Sequence, residues 1–422
     1  MIDRKIAPAI RDVEEINFLT PKKVLIDNQL PFYSLENTGS DAVKLDLYFS
    51  AGTIVNNPLV ANFTAGLLFS GSSTKSSEEI HNEIDDLGGF VDINVSHEYA
   101  ILSLYSLNSQ LLELLHVVLS ALNDVIFPEE EVKELLKDRK QKLKVNLGKV
   151  NYLAQIELQK RLFKGTLYGK TIELNDFDTI NRALIQDFYD TYYRKGINKV
   201  SLIGNVNDDD TKAIHALLGP WYKKKISPKS MTFNPEKGVF HVEKAGALQS
   251  GIRVAKIMFD KHHADYHGFN VMNTIFGDYF GSRLMKNIRE DKGYTYGIGS
   301  MLAEIYQNGY FAIMTQVGKK FVDPTLDEIK IEMDKMRNEL VGEQELTMVR
   351  NYLMGQSLKA ADGPFSMMDL FLQVEVADLD YSFYNRAIHV LKTITPQEIK
   401  ALAQKYLIWD EMLVITAGQQ LN

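Results

Sequence analysis

An internal repeat restricts the fold of this chain more than any other feature of the sequence. When the sequence is shifted by 204 residues, residues 76–96 lie over residues 280–300 and three pairs match in kind: Ile80 with Leu284, Ile84 with Ile288, and Gly89 with Gly293. Each copy reads as a helix with apolar residues four apart, then a glycine, then an alternating strand. The repeat predicts two similar domains of about 200 residues each rather than one large core.

Flanking segments extend the repeat in both directions. The matched pairs are the strand-like segments 42–52 and 249–259, the helical segments 128–143 and 341–358, and the apolar closing strands 199–206 and 412–418. The predicted order in each half is strand, helix, second helix, strand pair, further helices and a closing strand. We place a first domain at 1–222 and a second domain at 239–422. The intervening stretch 223–238 is rich in Lys, Pro and Ser and lacks helical periodicity, which is typical of a linker.

The composition excludes several kinds of chemistry and partner. None of the 422 residues is cysteine, so disulfides, thiolate nucleophiles and cysteine-ligated zinc are excluded. The net charge of −8 argues against nucleic acid or an anionic membrane as the main partner. No apolar stretch reaches the roughly 18 residues of a membrane span, and the first residues lack the apolar core of a signal peptide. We therefore expect a cytoplasmic protein, or a periplasmic one if a leader has been removed.

Two segments of this duplicated chain carry a resemblance to a known family. They are LLFSGSSTKSSEEI (67–80) followed by LGG (87–89), and GDYFGSRLMKNIREDKGYTYGIGS (277–300). In this order they resemble the M16 metallopeptidases, which include pitrilysin, mitochondrial processing peptidase and the core proteins of the cytochrome bc1 complex, and above all the shorter bacterial members. The resemblance implies an α+β fold with two homologous domains of the M16 (LuxS/MPP-like) type, each an antiparallel-rich sheet covered by helices.

The zinc motif of that family is missing here. Active members carry His-x-x-Glu-His on the helix before the LLF segment, where two histidines at i, i+4 hold Zn²⁺ and the Glu deprotonates a bound water. The resemblance places these positions at Asn62, Ala65 and Gly66, which offer neither a good zinc ligand nor a base. No histidine precedes His81, so a small shift of the alignment does not restore the motif.

The window for the third zinc ligand has also lost its carboxylate. The resemblance places that ligand within residues 139–156, which contain no Asp or Glu. The window instead carries five cations: Arg139, Lys140, Lys142, Lys144 and Lys149. Because cations repel a dication, we expect this chain to bind no metal, and we expect zinc in a partner subunit.

One other pair of histidines has a spacing that is compatible with metal binding. His263 and His267 stand four residues apart in HHADYH (262–267), as two zinc ligands on a helix would. No Glu base lies between them, and the repeat places them over Leu59 and Phe63 at the start of the corresponding helix. A packing or surface role is the favoured interpretation.

The second half retains an Arg and a Tyr that the resemblance links to catalysis. In active relatives this pair lies over the scissile peptide, and it falls here on Arg289 and Tyr296. A guanidinium and a phenol aimed at an oxyanion stabilise it. The alternative is a helix-terminal Arg and a strand Tyr that only pack. The repeat places Asp85 and Asp92 at the same positions of the first half, so the fold itself does not require the pair.

Three further residues of the second half are candidates for substrate binding. Gly277, Gly281 and Ser282 belong to the glycine-rich turn of the second motif, where glycine permits close approach of a peptide or tight helix packing. The turn lacks the spacing of a phosphate-binding loop.

These observations lead to one favoured function and two alternatives. The resemblance implies that some family members are heterodimers in which one subunit holds zinc and the other holds Arg and Tyr. We expect this chain to be the zinc-lacking subunit, with Arg289 and Tyr296 acting in trans on an unfolded peptide that adds to a sheet edge. The partner would carry His-x-x-Glu-His, and the isolated chain could form a homodimer. The alternatives are a structural assembly subunit and a protein that binds peptides without cutting them.

Overall fold

The structure is a computed structural model, and it describes residues 13, 16–27, 29–37, 39–227 and 231–420. Residues 1–12, which include most of the stretch in which a signal peptide was sought, lie outside the described residues, as do residues 228–230 of the predicted linker. Within the described ranges, every helix is too short or too polar to cross a bilayer.

Two mixed sheets organise the described chain. The first contains β1 (Lys22–Ile26), β2 (Leu30–Glu36), β3 (Ala42–Phe49), β4 (Phe90–Val95), β5 (Ala100–Leu107) and β6 (Ile197–Gly204). The second contains β7 (Gly238–Glu243), β8 (Gln249–Met258), β9 (Thr295–Ile305), β10 (Asn308–Gly318) and β11 (Leu413–Gly418).

The two sheets have the same topology, which is the structural counterpart of the sequence repeat. The strand order is β1-β2-β6-β3-β5-β4 in the first sheet and β7-β11-β8-β10-β9 in the second. Without β1 the two orders correspond strand by strand. In each sheet one pair of neighbours is parallel, β2 with β6 and β7 with β11, and the other neighbours are antiparallel. The fold is therefore α+β with antiparallel-rich sheets, as the sequence predicts.

Helices cover both sheets. In the first half they are α1 (Pro58–Gly66), α2 (Ser77–Asp86), α3 (Leu111–Asn123), α4 (Glu129–Asn146), α5 (Val150–Leu162), α6 (Arg182–Tyr192) and α7 (Asp208–Leu218). In the second half they are α8 (Tyr266–Phe276), α9 (Val322–Asn338), α10 (Glu343–Ala360), α11 (Gly363–Glu375), α12 (Ser382–Thr393) and α13 (Pro396–Tyr406).

Local sequence explains where several of these elements begin. Ser76 and Glu79 form a reciprocal capping box at the start of α2, which satisfies two backbone donors of the first turn. Asn57 caps α1, and Pro58 occupies its first position, where a missing N–H costs nothing. The central strand β6 is buried along its whole length, as expected for a strand that is covered on both faces.

One segment differs from the prediction in type. The repeat predicts an ordinary α-helix before Gly293, but Met285–Asp291 forms a π-helix in which Lys292 N donates to Asn287 O at 2.9 Å. Contacts from α9 hold this wider turn in place. Asn287 donates to Glu328 at 2.9 Å and to Glu332 at 2.8 Å. Such wide turns are frequent at functional sites.

The helix α5 belongs to the first half by sequence but packs on the second sheet. Its buried residues Ala154, Leu158 and Leu162 contact strand residues that include Ala255 and Ile415. Arg253 of β8 fixes the start of the helix, since it donates to Gln155 and to the backbone carbonyl of Asn151. One face of the second sheet is therefore completed by a helix that precedes it in the chain.

The helix α11 makes the reciprocal crossing from the second half to the first sheet. Its buried residues Met368 and Leu372 pack with Tyr33, Leu35 and Ile203. Each half thus supplies a helix that covers the sheet of the other half.

An ion pair closes the contact between α11 and the first sheet. Glu375 pairs with Lys199 of β6 and accepts a hydrogen bond from the Tyr33 hydroxyl at 2.7 Å. Burial raises the pKa of Glu375, but Lys199 and Tyr33 lower it by more, so this pKa lies below its ordinary value of 4.5. Burial also lowers the pKa of Lys199, although Glu375 opposes this. The lysine therefore depends on Glu375 for its charge.

We expect Glu375→Gln to lower the free energy of unfolding by about 3 kcal/mol at neutral pH, because Lys199 stays buried without a counter-charge. A carboxyl whose folded-state pKa is lowered contributes stability above its unfolded-state pKa and loses it as the pH falls through the folded-state pKa. The difference between wild type and variant should therefore shrink below about pH 4.5. Urea denaturation followed by the fluorescence of Trp221 and Trp409, one in each half, measures it.

Glu130→Gln is the matched control for this substitution. Glu130 pairs with Lys133 at 2.8 Å on the surface of α4, where an ion pair contributes little. Equal losses of stability in the two variants, or an effect of Glu375→Gln that does not change with pH, would contradict the role assigned to the buried pair.

Candidate functional site

The structure brings the two parts of the missing zinc motif together. α1 and α4 meet around a cavity of about 250 Å³, which is lined by Asn62 of α1 and by Arg139, Lys142 and Asn146 of α4. Asn62, at the first motif position, therefore faces the same cavity as residues of the window for the third ligand.

None of the three motif positions provides a metal ligand. Asn62 donates its amide to the carbonyl of Pro58 at 2.8 Å, one turn earlier in α1. Ala65 is buried in the core of the first half. Gly66 is exposed, and a β-carbon placed there would lie 3.3 Å from Leu135. The helix keeps the frame of the motif without its donor atoms.

The charge at this cavity is positive. Lys142 is paired with Asp138 at 2.8 Å, whereas Arg139 forms no ion pair with any residue in the described ranges. Two other cations of the window have partners, because Lys140 pairs with Asp178 at 2.5 Å and Lys149 donates to the cavity-lining Asn146 at 2.8 Å. No Asp, Glu or His is found among the described residues that line the cavity, so its electrostatics oppose a dication.

His263 and His267 are engaged in aromatic packing and local hydrogen bonds. His263 stacks on Phe259 with ring centroids 4.2 Å apart, and its Nδ1 accepts from the backbone N–H of Asp265. His267 packs on Phe383, and burial lowers its pKa to about 4. No group of three or more potential metal-ligating side chains occurs in the described part of the chain.

Arg289 lies on the π-helix with its charged group unpaired. Its guanidinium stacks on the ring of Phe280 at 4.5 Å from the centroid, and it has no ion-pair partner among the described residues. Phe280 itself is 65% exposed. A cation held by an aromatic face keeps its N–H groups free for another acceptor. Phe280 is a site residue that the sequence reasoning missed, and its only signal was a large aromatic residue beside Gly281.

A β-bulge decides where Tyr296 points. Ile298 pairs with Thr315 and Thr295 pairs with Val317, so that Tyr296 and Gly297 of β9 stand opposite the single residue Gln316. In an unbroken strand Tyr296 would share a face with Ile298, which is buried. The extra residue reverses this alternation, and the Tyr296 side chain is 93% exposed.

Two threonines stabilise the bulge. Thr295 Oγ1 accepts from the backbone N–H of Gly297 at 3.1 Å, and Thr315 Oγ1 donates to the carbonyl of Gly297 at 2.9 Å. These bonds replace those that the ladder loses at the bulge. Sequence reasoning did not find this role of Thr295 and Thr315, because it depends on pairing between two strands.

The glycine-rich turn lies against β9 and forms one wall of a groove. Gly277 and Phe280 line this groove of about 570 Å³ together with Gly297 and Gly299 of β9. A β-carbon on Gly277 would come within 2.3 Å of Ser300 Oγ, so glycine is required there for close packing.

The two other candidates from the turn are in structural contacts. A β-carbon on Gly281 would lie 2.8 Å from the ring of Tyr279. Ser282 is buried, and its Oγ accepts from the backbone N–H of Met285 at 3.4 Å. A substrate-binding role for Gly277, Gly281 and Ser282 stays a prediction.

The groove runs along an open sheet edge. β9 is the last strand of the second sheet and pairs on one side only, with β10. Asn273 of α8 fixes its middle, because Asn273 Oδ1 accepts from Ser300 Oγ at 2.6 Å. The glycine-rich turn occupies this edge at Ser300, whose backbone N–H donates to the Gly277 carbonyl at 3.0 Å. Where no such contact is made, the edge of a strand offers backbone donors and acceptors to an added strand.

The sequence matches two family models in succession. The model described as "Insulinase (Peptidase family M16)" matches residues 32–173. The model described as "Peptidase M16 inactive domain" matches residues 179–353. Together they span most of the chain; the first match lies within the first half, and the second begins near the end of the first half and continues into the second half.

Several bacterial proteins are similar over most of their length. An uncharacterized zinc protease of Rickettsia felis is 22% identical over 333 residues, which cover 76% of this chain and 79% of that protein. The uncharacterized zinc protease YmxG of Bacillus subtilis is 21% identical over 363 residues, with coverages of 84% and 87%. The probable inactive metalloprotease YmfF of the same organism is 21% identical over 296 residues, with coverages of 68% and 67%.

Solved structures share the fold. A peptidase M16 inactive domain from Pseudomonas fluorescens superposes with a TM-score of 0.85 at 22% identity, covering 96% of this chain and 99% of that one. A protease from Helicobacter pylori superposes with a TM-score of 0.83 at 13% identity, covering 95% and 100%. The predicted fold class is confirmed.

We expect the chain, purified without an affinity tag and dialysed, to retain far less than one zinc per molecule in elemental analysis by mass spectrometry. The variant Asn62→His/Ala65→Glu/Gly66→His should also retain little zinc, since Arg139 still faces the site and the third carboxylate is absent. Adding Arg139→Glu to that variant should increase zinc retention, because it replaces a cation with a ligand. Stoichiometric zinc in the wild-type chain would contradict the electrostatic reasoning.

Proposed function

This chain belongs to the M16 peptidase family, and from that membership we propose that it is the zinc-lacking subunit of a two-subunit peptidase. In this proposal it supplies Arg289 and Tyr296 to the zinc site of a partner subunit that carries His-x-x-Glu-His. The observation that carries the proposal is an asymmetry between the two halves. In the first half, no carboxylate or imidazole lines the described part of the cavity beside Asn62, while in the second half Arg289 and the exposed Tyr296 have no described hydrogen-bond acceptor.

The exposure of the pair supports action in trans. Tyr296 is the most exposed of the large side chains with apolar character in the described chain, although burial there would stabilise the fold. A bulge with two threonine hydrogen bonds keeps it outside. Arg289 is likewise held on Phe280 rather than on a carboxylate. Tyr296 lies on β9 and Arg289 lies on the π-helix that contacts β9. Since neither side chain has a described acceptor, both can donate to an acceptor on another molecule.

The chemistry of the pair fits peptide hydrolysis. Zinc in the partner would activate water for attack on a peptide carbonyl. As the carbonyl oxygen gains negative charge, the Arg289 guanidinium and the Tyr296 phenol can donate hydrogen bonds to it. A donor placed in this way is worth about 2.7–4 kcal/mol in the transition state.

The edge strand supplies a means of holding the substrate. An unfolded peptide could add to the open side of β9 and place its backbone beside Tyr296. The neighbouring groove is lined mainly by glycines, methionines and aromatic residues, which adapt to varied side chains. The substrate class that follows is an unfolded or extended peptide.

We expect Arg289→Ala and Tyr296→Phe each to lower kcat of the two-subunit complex by roughly 100-fold or more, with little change in KM, since oxyanion donors act mainly in the transition state. Peptide cleavage by the reconstituted complex measures this. Lys286→Ala, on the same π-helix, and Tyr105→Phe, on the first sheet, are matched controls that should leave kcat unchanged.

Two results would defeat the proposal. One is zinc-dependent cleavage by this chain alone. The other is full activity of the complex after both substitutions. The second result, combined with loss of the complex when its interface is changed, would instead favour a structural assembly subunit. Peptide binding without any catalytic partner would favour a non-cleaving peptide-binding protein.

A further inference from the structure

A second cavity lies beside Tyr296, between the sheet and the start of α5. It has a volume of about 500 Å³, and its lining includes Asn151, Gln249, Arg253, Tyr296 and Gln316. It is separate from the groove that contains Gly277, although both adjoin the bulge at Gly297. The two halves of the chain build it together, since Asn151 comes from the first half and the other residues come from the second.

Arg253 is a buried cation without an anion. Its side chain is only 8% exposed, and its acceptors are the neutral oxygens of Gln155, Asn151, Ile252 and Thr315. Nη2 carries two N–H groups but has a single described acceptor, the carbonyl of Asn151 at 3.3 Å. Burial lowers the pKa of Arg253, and no acidic side chain among its described neighbours opposes this.

A buried charge without a counter-charge is energetically costly. Buried charges in proteins are normally paired or bind a counter-ion. The other buried cation near the contact between the halves follows that rule, since Lys199 is paired with Glu375. None of the described residues that line the cavity is Asp or Glu, so the protein itself supplies no counter-charge for Arg253 there.

A chain of amides extends from Arg253 to the cavity surface. Arg253 Nη1 donates to Asn151 Oδ1 at 3.5 Å, and the Asn151 amide donates to Gln316. The Gln316 amide in turn donates to Gln249 Oε1. Every link points the same way, so each amide polarises the next. The chain ends at the Gln249 side-chain nitrogen, which is exposed and has no described acceptor.

We propose that this cavity binds a carboxylate of the peptide that occupies the edge of β9. Arg253 would provide the charge, and the Gln249 amide is a donor at the mouth. The carboxylate could be an acidic side chain or the C-terminus of the peptide, because both present the same two oxygens. A charge-assisted hydrogen bond to a buried guanidinium is among the stronger polar contacts in proteins.

The inference rests on the proposed function for the occupant, an extended peptide, but not for its cleavage. If it holds, the protein selects peptides with a negative charge at a fixed distance from the residues beside Tyr296. Neither the metal position nor Arg289 takes part in this selection.

The test uses the whole isolated chain and four fluorescein-labelled, unstructured peptides of one sequence. The peptides combine an internal Glu or Gln with a C-terminal acid or amide, and fluorescence anisotropy measures their affinities. We expect the peptide with the relevant carboxylate to bind about ten-fold to a hundred-fold more tightly than its amide counterpart. If the internal Glu increases affinity, the bound carboxylate is a side chain; if the C-terminal acid increases affinity, it is the C-terminus. Equal affinities, or no binding by any of the four, would overturn the proposal.

The substitution Arg253→Gln tests whether this side chain recognises the carboxylate. In the variant, the carboxylate peptide and its amide counterpart should bind with nearly equal affinity, and the affinity of the amide peptides should not fall. Arg350→Gln is the matched control, since Arg350 also donates to backbone carbonyls, those of Leu391 and Ile394, but lies outside the cavity. A carboxylate preference that survives Arg253→Gln would overturn the assignment. If Arg253→Gln does not fold, Gln249→Ala at the exposed mouth should still reduce the preference.

This test and that of the proposed function can fail independently. A carboxylate preference in binding, with no cleavage by any complex, would defeat the peptidase proposal and leave the carboxylate site. Cleavage that depends on Arg289, with equal kcat/KM for acid and amide peptides, would defeat the carboxylate site alone.

Discussion

The exchange of helices between the two halves is the interaction on which the rest of the structure depends. α5 completes the face of the second sheet, and α11 completes the face of the first. A sheet whose apolar face is open must bury it against another element. Each fully buried leucine contributes about 2 kcal/mol, so separating the halves would expose the apolar sheet face that each exchanged helix covers. The exchange makes the two copies of the repeat one unit.

The exchange also accounts for the positions of the site residues. α5 carries Asn151 and Gln155 to Arg253, and thereby brings first-half residues next to the bulge of β9. α11 packs on the first sheet rather than on the second. The outer edge of β9, which carries Tyr296, pairs with no further strand among the described residues. Its fixed position comes from the bonds of Ser300 to Asn273 and of Gly297 to the two threonines.

The cavity beside Asn62 and the cavity beside Tyr296 both carry positive charge without acidic residues in their described linings. At the positions that the family resemblance assigns to the zinc ligands, this chain places Arg139 and Lys142 around a cavity without acidic residues in its described lining. Near β9 it presents Arg289 and Tyr296, which have no described hydrogen-bond acceptor, and the buried Arg253, whose acceptors are all neutral. Both regions are suited to negative charge and neither to a metal. In the proposed function, the donors near β9 stabilise the oxyanion while the partner subunit supplies the metal.

Sequence alone determined the duplication and the α+β class, and it predicts the loss of the zinc ligands and the role of Arg289 and Tyr296. These follow from periodicity and residue type, which are local properties. The helix exchange, the π-helix at Met285–Asp291, the bulge at Tyr296 and the solitary charge of Arg253 were decided only by tertiary structure. Each depends on which strand or helix lies opposite, and a bulge in particular needs the pairing of Gln316 with two residues of another strand. The sequence thus specifies which groups are present, whereas packing between distant segments specifies which of them remain without partners.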